Sequence, residues 1–181
     1  MSYRIAQLTP ADVPGLKALL KVFGEAFQDT DSYGRAVPSD AYLQSLLARP
    51  HFIVLIATND NDVIGGLAAY ELEKFEQDRR EIYIYDLAVS EQHRRKGIAT
   101  QLIGELRRIA TRRKAYVIFV QADQDDIPAI RLYESLALGK KFSISILPCR
   151  CDSQGAAWCK SYTVIADAKD VGLRSSAEVG A

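Results

Sequence analysis

Between Glu81 and Arg113 the chain passes from a stretch rich in isoleucine and tyrosine, through a basic loop, into an amphipathic segment. Glu81 to Val89 reads EIYIYDLAV, the most strand-like run in the sequence. Ser90 to Lys96 is polar and carries Arg94, Arg95 and Lys96. From Ile98 to Arg113 the apolar residues Ile98, Leu102, Leu106 and Ile109 recur at helical spacing and predict one buried face. This order sets Arg94-Arg95-Lys96-Gly97-Ile98-Ala99 at a helix N-terminus. There the first N–H groups have no partner within the helix, and the helix dipole favours an anion. Gly97 and Ala99 leave the main chain open to phosphate oxygens, and the three basic side chains add charge.

The flanking sequence predicts a mixed α/β (α+β) chain of a single domain. Tyr3 to Leu8 alternates like a short strand, and Thr9-Pro10 starts a helix through Val13, Leu16, Leu19, Leu20 and Phe23. Gln28 to Pro38 is a polar loop, and Ser39 or Asp40 caps a second helix through Leu47. Phe52 to Ala57 is a buried strand, joined by the turn signal Asn59-Asp60-Asn61-Asp62 to a partner over Val63 to Leu72. Gly65-Gly66 inside that partner signals a bulge or a close backbone approach. Ala115 to Ala122 is a further strand, and Pro128 to Leu136 a further helix.

Composition narrows the function. Lys plus Arg is 23 and Asp plus Glu is 23, which argues against sequence-independent nucleic-acid binding. Arg107, Arg108, Arg112, Arg113 and Lys114 then read as the solvated end of the helix that closes at Arg113. No apolar run is long enough to span a bilayer and the N-terminal residues lack a signal-peptide core, so a cytoplasmic protein without membrane partners is expected. Cys149, Cys151 and Cys159 are odd in number and read as reduced thiols. Cys149 and Cys151 are too closely spaced for a zinc knuckle, and His51 and His93 lie far off, so no metal is expected.

Arg94, Gly97 and Ala99 match the Gln/Arg-x-x-Gly-x-Gly/Ala acyl-CoA pyrophosphate motif, and the segment resembles that of the GNAT superfamily of N-acetyltransferases. Downstream, Asp126-Ile127-Pro128-Ala129-Ile130-Arg131-Leu132-Tyr133 matches the superfamily's Asn-x-x-Ala-x-x-Leu-Tyr, with Asp in place of Asn. Lys74-Phe75-Glu76-Gln77, the EIYIYDLAV strand, His93-Arg94-Arg95 and Gln121-Ala122-Asp123 are similar to the aminoglycoside 3-N-acetyltransferases of GNAT type, which inactivate gentamicin-like antibiotics. The likeness runs from about Phe23 to Leu136. It implies a GNAT fold, a mixed central sheet flanked by helices, with acetyl-CoA as cosubstrate and a homodimer as the assembly. It also implies that Arg94 to Thr100 (Arg94, Arg95, Lys96, Gly97, Ile98, Ala99 and Thr100) hold the pyrophosphate. Leu87, Ala88 and Val89 would pair with the pantetheine arm, Asp126 and Ala129 would complete the cofactor side, and Tyr133 would serve as general acid at the sulfur.

An aminoglycoside is a polycation, so its cleft should be acidic. Six carboxylates lie between Glu71 and Asp86, with Asp123, Asp125 and Asp126 after the next strand and Asp29 and Asp31 in the Gln28 to Tyr33 loop. Asp86 stands out because it interrupts an apolar strand, where an unpaired carboxylate is costly. It is the first candidate to orient the acceptor amine and take its proton, with Glu81 the second. Asp29, Tyr33, Asp123 and Asp125 are candidate acceptor-binding residues beside it. Strict alternation places Glu81, Tyr83 and Tyr85 on one face and Asp86 on the other with Ile82 and Ile84, and a bulge would reverse this. Alternative readings are transfer to another small amine or a protein amine, and an acyl-CoA-binding module without turnover.

The end of the chain departs from the family, dividing it into a core over 1–137, divergent closing strands over 138–166 and a disordered tail over 167–181. Ala137 stands where the relatives have Gly. One choice of codons for Leu138 to Leu147, read two bases on, spells Arg-Glu-Glu-Val-Leu-His-Phe-Asp-Ile, which differs only in its Leu from the Arg-Glu-Glu-Val-Met-His-Phe-Asp-Ile that closes the relatives. A frameshift near residue 137 is the hypothesis this supports, and the gene's own codons decide it. Phe142 to Leu147 and Trp158 to Ile165 are the candidate replacement strands.

Overall fold

The computed structural model describes residues 3–35, 37–123, 126–137 and 144–149. Six strands form one sheet in chain order: β1 (Arg4–Gln7), β2 (Phe52–Asn59), β3 (Asp62–Glu73), β4 (Arg80–Val89), β5 (Val117–Asp123) and β6 (Ile144–Cys149). The first four are antiparallel; β5 runs parallel to β4, and β6 parallel to β5. Helices α1 (Val13–Phe27) and α2 (Asp40–Leu47) cover one face, while α3 (Ile98–Arg112) packs on the other, where residues of α4 (Ile127–Ala137) join its core. This is the mixed central sheet flanked by helices that the sequence predicts. Strand β6 overlaps the expected Phe142 to Leu147 strand, whereas Trp158 to Ile165, the tail from 167 onward, Cys151 and Cys159 lie outside the described residues.

The apolar spacing of α3 is realised in its packing. Ile98, Leu102, Ile103, Leu106 and Ile109 are almost wholly buried against Ile53, Leu55, Leu67, Ile82 and Ile84. Each such side chain contributes about 1.5–3 kcal/mol relative to an exposed position. On the opposite face Leu16, Leu19 and Phe23 of α1 meet Val54, Ala68 and Ala88. Gly66 permits this contact, because an added Cβ would lie 2.5 Å from the Leu55 carbonyl oxygen and 2.7 Å from Leu19. The turn between β2 and β3 is built on Asp60 (φ 48°) and Asn61 (φ 78°), residue types that tolerate the left-handed region.

Helix α1 starts later than Thr9-Pro10 suggests. Asp12 accepts from both the N–H (2.8 Å) and the hydroxyl (2.6 Å) of Thr9, closing a separate turn, so the helix begins at Val13 with Pro14 in its first turn. The loop after α1 is also more structured than its polar composition implies. Asp31–Arg35 form a single π-helical turn.

Two features of β4 shape the site. Its register against β3 shifts between Ala68, opposite Asp86, and Ala69, opposite Ile84, so Tyr85 is the extra residue of a bulge. Its pairing with β5 covers only Glu81–Ile84 against Val117–Val120. From Tyr85 to Val89, β4 keeps its β3 ladder and parts from β5, opening a gap in the middle of the sheet.

Candidate active site

One end of the gap is lined by main chain. After β4, Ser90 N donates to the Ile64 carbonyl (2.9 Å), and Glu91–His93 form a short 3-10 turn. Arg94 Nε donates to the Val89 carbonyl (3.2 Å), tying the basic loop to the end of β4. Arg95 (φ 62°) and Gly97 (φ 77°, ψ 5°) both take left-handed backbone conformations, with Lys96 between them. Such alternation turns successive N–H groups to one side and makes an anion-binding concavity. Gly97 is the N-cap of α3 and supplies no side-chain cap, and the first turn of α3 contains no acidic residue. The first N–H groups of α3 therefore have neither an intrahelical nor a side-chain acceptor. A Cβ at Gly97 would meet nothing within 4 Å, so its backbone angle, not crowding, favours glycine there. Arg94, Arg95, Lys96 and Thr100 are exposed around this concavity.

The other end is built from side chains. The bulge reverses the alternation of β4. Ile82, Ile84, Leu87 and Val89 face the α3 core, while Asp86 and Ala88 turn toward α1. The simple count that grouped Asp86 with Ile82 and Ile84 is thus corrected: Asp86 shares the face of Tyr83 and Tyr85. There it borders a cleft of about 230 Å³ whose walls include Tyr33, Tyr42, Phe52, Tyr70 and Tyr85. Tyr33 donates its hydroxyl hydrogen to Asp86 Oδ1 (3.1 Å). Burial raises the Asp86 pKa above the ordinary carboxylate value, and the Tyr33 hydrogen bond opposes that rise.

Tyrosines were legible as strand formers, but their assembly into a wall was not. Tyr70 and Tyr85 meet edge to face at 5.8 Å, Tyr83 and Tyr85 at 6.0 Å, and Tyr83 stacks on Phe119 at 5.0 Å. Tyr85 remains 61% exposed in mid-sheet, which leaves its ring open to a ligand. On the facing wall Tyr33 contacts Phe23 and Phe27. The one signal for this in the sequence is the Tyr83-x-Tyr85 spacing, which places both rings on one face.

Tyr133 lies on α4, 5% exposed and packed with the α3-side core. Burial and the nearby Asp126 charge push its pKa up to about 12, so it stays protonated at neutral pH. Asp126 Oδ1 accepts from Ala129 N (3.0 Å) and so caps α4, the job Asn would do in the motif.

The remaining candidates separate. Glu81 pairs with Arg79 (2.9 Å), whose guanidinium also sits 4.5 Å over the Tyr116 ring, at the far end of β4 from the bulge. Asp29 accepts from the N–H of Ser32 (3.0 Å), and the Ser32 hydroxyl first and this N–H second lower its pKa. Asp123 ends β5, with its backbone paired to Cys149; its side chain and Asp125 lie outside the described residues. Among the described residues no group of three or more His, Cys, Asp or Glu could hold a metal ion, and no helix is long and apolar enough to cross a membrane.

A mixed sheet that opens beside an uncapped, basic helix N-terminus defines an acyl-CoA-dependent transferase, and known proteins agree. Residues 16–138 match the Acetyltransferase (GNAT) family, to which the chain belongs. It is an acyl-CoA-dependent N-acetyltransferase. A solved aminoglycoside acetyltransferase, HMB0005, from an uncultured soil metagenomic sample is 50% identical, covering 78% of this chain and 94% of its own, with a TM-score of 0.74. Another, meta-AAC0020, also from an uncultured soil metagenomic sample and solved in complex with sisomicin, is 28% identical over 90% of this chain and 97% of its own, with a TM-score of 0.71. The ribosomal-protein-alanine N-acetyltransferase of Brucella melitensis biovar Abortus 2308 is 27% identical over 78% and 95%, with a TM-score of 0.59. The curated proteins contain no match.

Proposed function

We propose that this chain transfers the acetyl group of acetyl-CoA to an amino group of an aminoglycoside, at the 3-N position, and so confers resistance. The observation that carries the reading is Asp86. It is a half-buried carboxylate at the bulge where β4 leaves β5, facing a tyrosine-walled cleft on one side of the sheet. The 50% identity to a solved aminoglycoside acetyltransferase supports the substrate class. The 3-N position rests on the resemblance of the KFEQ and EIYIYDLAV segments.

The concavity at Arg95 to Gly97 suits a pyrophosphate, and the main-chain edge of Tyr85–Val89 suits an arm bearing amides. Acetyl-CoA supplies an activated acetyl carbon on a thioester. Around it, Arg94 to Thr100 hold the diphosphate through N–H groups and charge. Leu87, Ala88 and Val89 offer main-chain groups to the pantetheine arm and polarise the thioester carbonyl. Asp86 orients the acceptor ammonium and takes its proton, directly or through one water, freeing the lone pair to form the C–N bond. Tyr133 holds a proton where the C–S bond breaks and gives it to the departing thiolate. Glu81, bound to Arg79, is the weaker candidate for the base. Asp123 and Asp125 belong to this reading as acceptor contacts, and a cytoplasmic homodimer as its assembly.

Thiol release from acetyl-CoA tests the reading, with gentamicin, sisomicin, small monoamines and a basic peptide as acceptors. Turnover with the two aminoglycosides, and acetylation at the 3-amine by NMR of the product, is the expected result. Turnover with the peptide alone would move the acceptor to a protein amine, a reading to which the ribosomal-protein-alanine N-acetyltransferase likeness gives its weight. Acetyl-CoA binding without any turnover would make the chain a binding module.

A further inference from the structure

Asp86 has two oxygens, and an acceptor ammonium needs one of them at a fixed angle. Among the described residues, the one hydrogen bond given to Asp86 comes from the opposite wall of the cleft, 53 residues away in sequence. We propose that Tyr33 is a positioning residue for acetyl transfer: from the turn after α1, its hydroxyl fixes Asp86 Oδ1 and leaves Oδ2 to the acceptor nitrogen. This deepens the assignment of Asp86 as the proton acceptor and rests on it.

The turn that carries Tyr33 is built to hold it. Its ring stands edge-on to Phe23 (5.9 Å, 75°) and tilted on Phe27 (5.7 Å). Its N–H donates to the Asp29 carbonyl (3.3 Å), and the Asp29 carboxylate accepts from Ser32 N (3.0 Å). Gly24 of α1 lies directly behind, where an added Cβ would come within 3.2 Å of Tyr33 Cβ. Phenylalanine would satisfy every ring contact. The hydroxyl is the part that these contacts do not explain, and it points at Asp86.

The groups facing Asp86 are Tyr33 from the turn, Tyr70 from β3, its neighbour Tyr85 on β4, and Tyr42 of α2 on the same cleft wall, with Asp29 beneath Tyr33. Tyr33 and Tyr70 both have raised pKa values and remain neutral through the working range. Burial pushes the Asp86 pKa up, and the Tyr33 hydrogen bond pulls it down. Removing that donor leaves burial unopposed, so the Asp86 midpoint must move to higher pH.

The full-length chain is compared with Tyr33→Phe, Gly24→Ala and Asp86→Asn. The Asp86 carboxyl carbon is titrated by NMR, its signal assigned by its loss in Asp86→Asn, and thiol release with sisomicin is followed against pH. In Tyr33→Phe the Asp86 midpoint should rise by about one pH unit, the size of one hydrogen bond to a charged oxygen. The acid limb of kcat/KM for the acceptor should rise with it, while the acetyl-CoA Kd stays unchanged. Gly24→Ala, which pushes Tyr33 aside, should give a smaller shift of the same sign and carries the test should Tyr33→Phe not fold. An unchanged midpoint in folded Tyr33→Phe overturns the inference. Full turnover by Asp86→Asn would instead remove Asp86 as the base, and the NMR titration would still report whether Tyr33 controls its carboxylate.

Discussion

Where α3 begins, the site consists of backbone: left-handed Arg95 and Gly97, a helix start without a side-chain cap, and the β4 edge freed from β5. Across the bulge it consists of side chains, with Asp86 held by Tyr33 and walled by Tyr70 and Tyr85. The two regions must therefore fail differently. Main-chain recognition suits a ligand part common to every acyl-CoA, and its groups cannot be deleted by trimming a side chain. Side-chain recognition can be changed one residue at a time, which suits the half of the reaction where substrates differ.

The largest expected effect falls on the side-chain half. Asp86→Asn should lower kcat/KM by roughly 10² to 10⁴-fold, the usual contribution of a positioned proton acceptor, and leave the acetyl-CoA Kd in place. It should also change stability, with a sign that can be worked out. Burial raises the folded-state pKa of Asp86 above its unfolded value, so the folded state binds the proton more tightly. Stability contributed in this way is present at low pH and lost as pH rises through the folded pKa. Relative to wild type, Asp86→Asn should thus show a Tm gain that is absent in acid and grows as pH rises above the ordinary carboxylate range. A variant that loses turnover while gaining Tm is the mark of a functional carboxylate placed at a cost; a Tm loss at pH 8 would make Asp86 a structural residue.

Tyr133 belongs to neither region by contact: it lies buried on α4 in the α3-side core. Tyr133→Phe keeps the buried ring and removes only the hydroxyl that carries the proton, so kcat should fall by roughly 10²-fold with little change in acetyl-CoA binding. Equal losses in kcat and Kd would move Tyr133 into the backbone half as a packing residue.

The same division explains what could be read from sequence. The turn and helix start at Arg94 to Ala99 and the helix opened by Asp126 were legible because a turn and a helix cap depend on residues a few positions apart. The succession of elements from β1 to α4, and the pairing of β2 with β3, followed from local alternation and turn chemistry. Asp86 was legible as an anomaly, a carboxylate in an apolar strand, but not the face it occupies. That face depends on the Ala68/Ala69 register slip, a property of two strands together. The Tyr33 to Asp86 bond spans the chain from the turn after α1 to β4, and no short-range pattern encodes it. Glu81 was the second candidate after Asp86, and its pairing with Arg79 is a side-chain contact that the strand pattern does not reveal.

In the backbone half, Gly97→Val should have an intermediate effect. At φ 77° a branched side chain is strained by about 1–2 kcal/mol, so the concavity distorts and acetyl-CoA Kd rises about tenfold. The acceptor KM and the pH profile should not move. Gly97→Asn, which tolerates that backbone region, should recover most of the loss. If both variants bind acetyl-CoA like wild type, the left-handed backbone at Gly97 is not the diphosphate site.

The smallest effect separates charge from backbone at a single position. Arg95 is exposed and adopts φ 62°, a region in which a long side chain is mildly strained. Arg95→Ala removes the charge and keeps the backbone disfavoured; Arg95→Gly removes the charge and relaxes the backbone. If main-chain N–H groups dominate diphosphate binding, Arg95→Ala should weaken acetyl-CoA by no more than about fivefold, since an exposed charge contributes little in water. Arg95→Gly should then bind at least as well as Arg95→Ala. Titration calorimetry across a salt series distinguishes the terms. Screening acts on the charge and leaves hydrogen-bond geometry largely alone, so the gap between wild type and Arg95→Ala should close as salt rises. A loss of a hundredfold, or a gap that persists at high salt, would show that the side chain itself grips the diphosphate and that the two halves of the cleft are built alike.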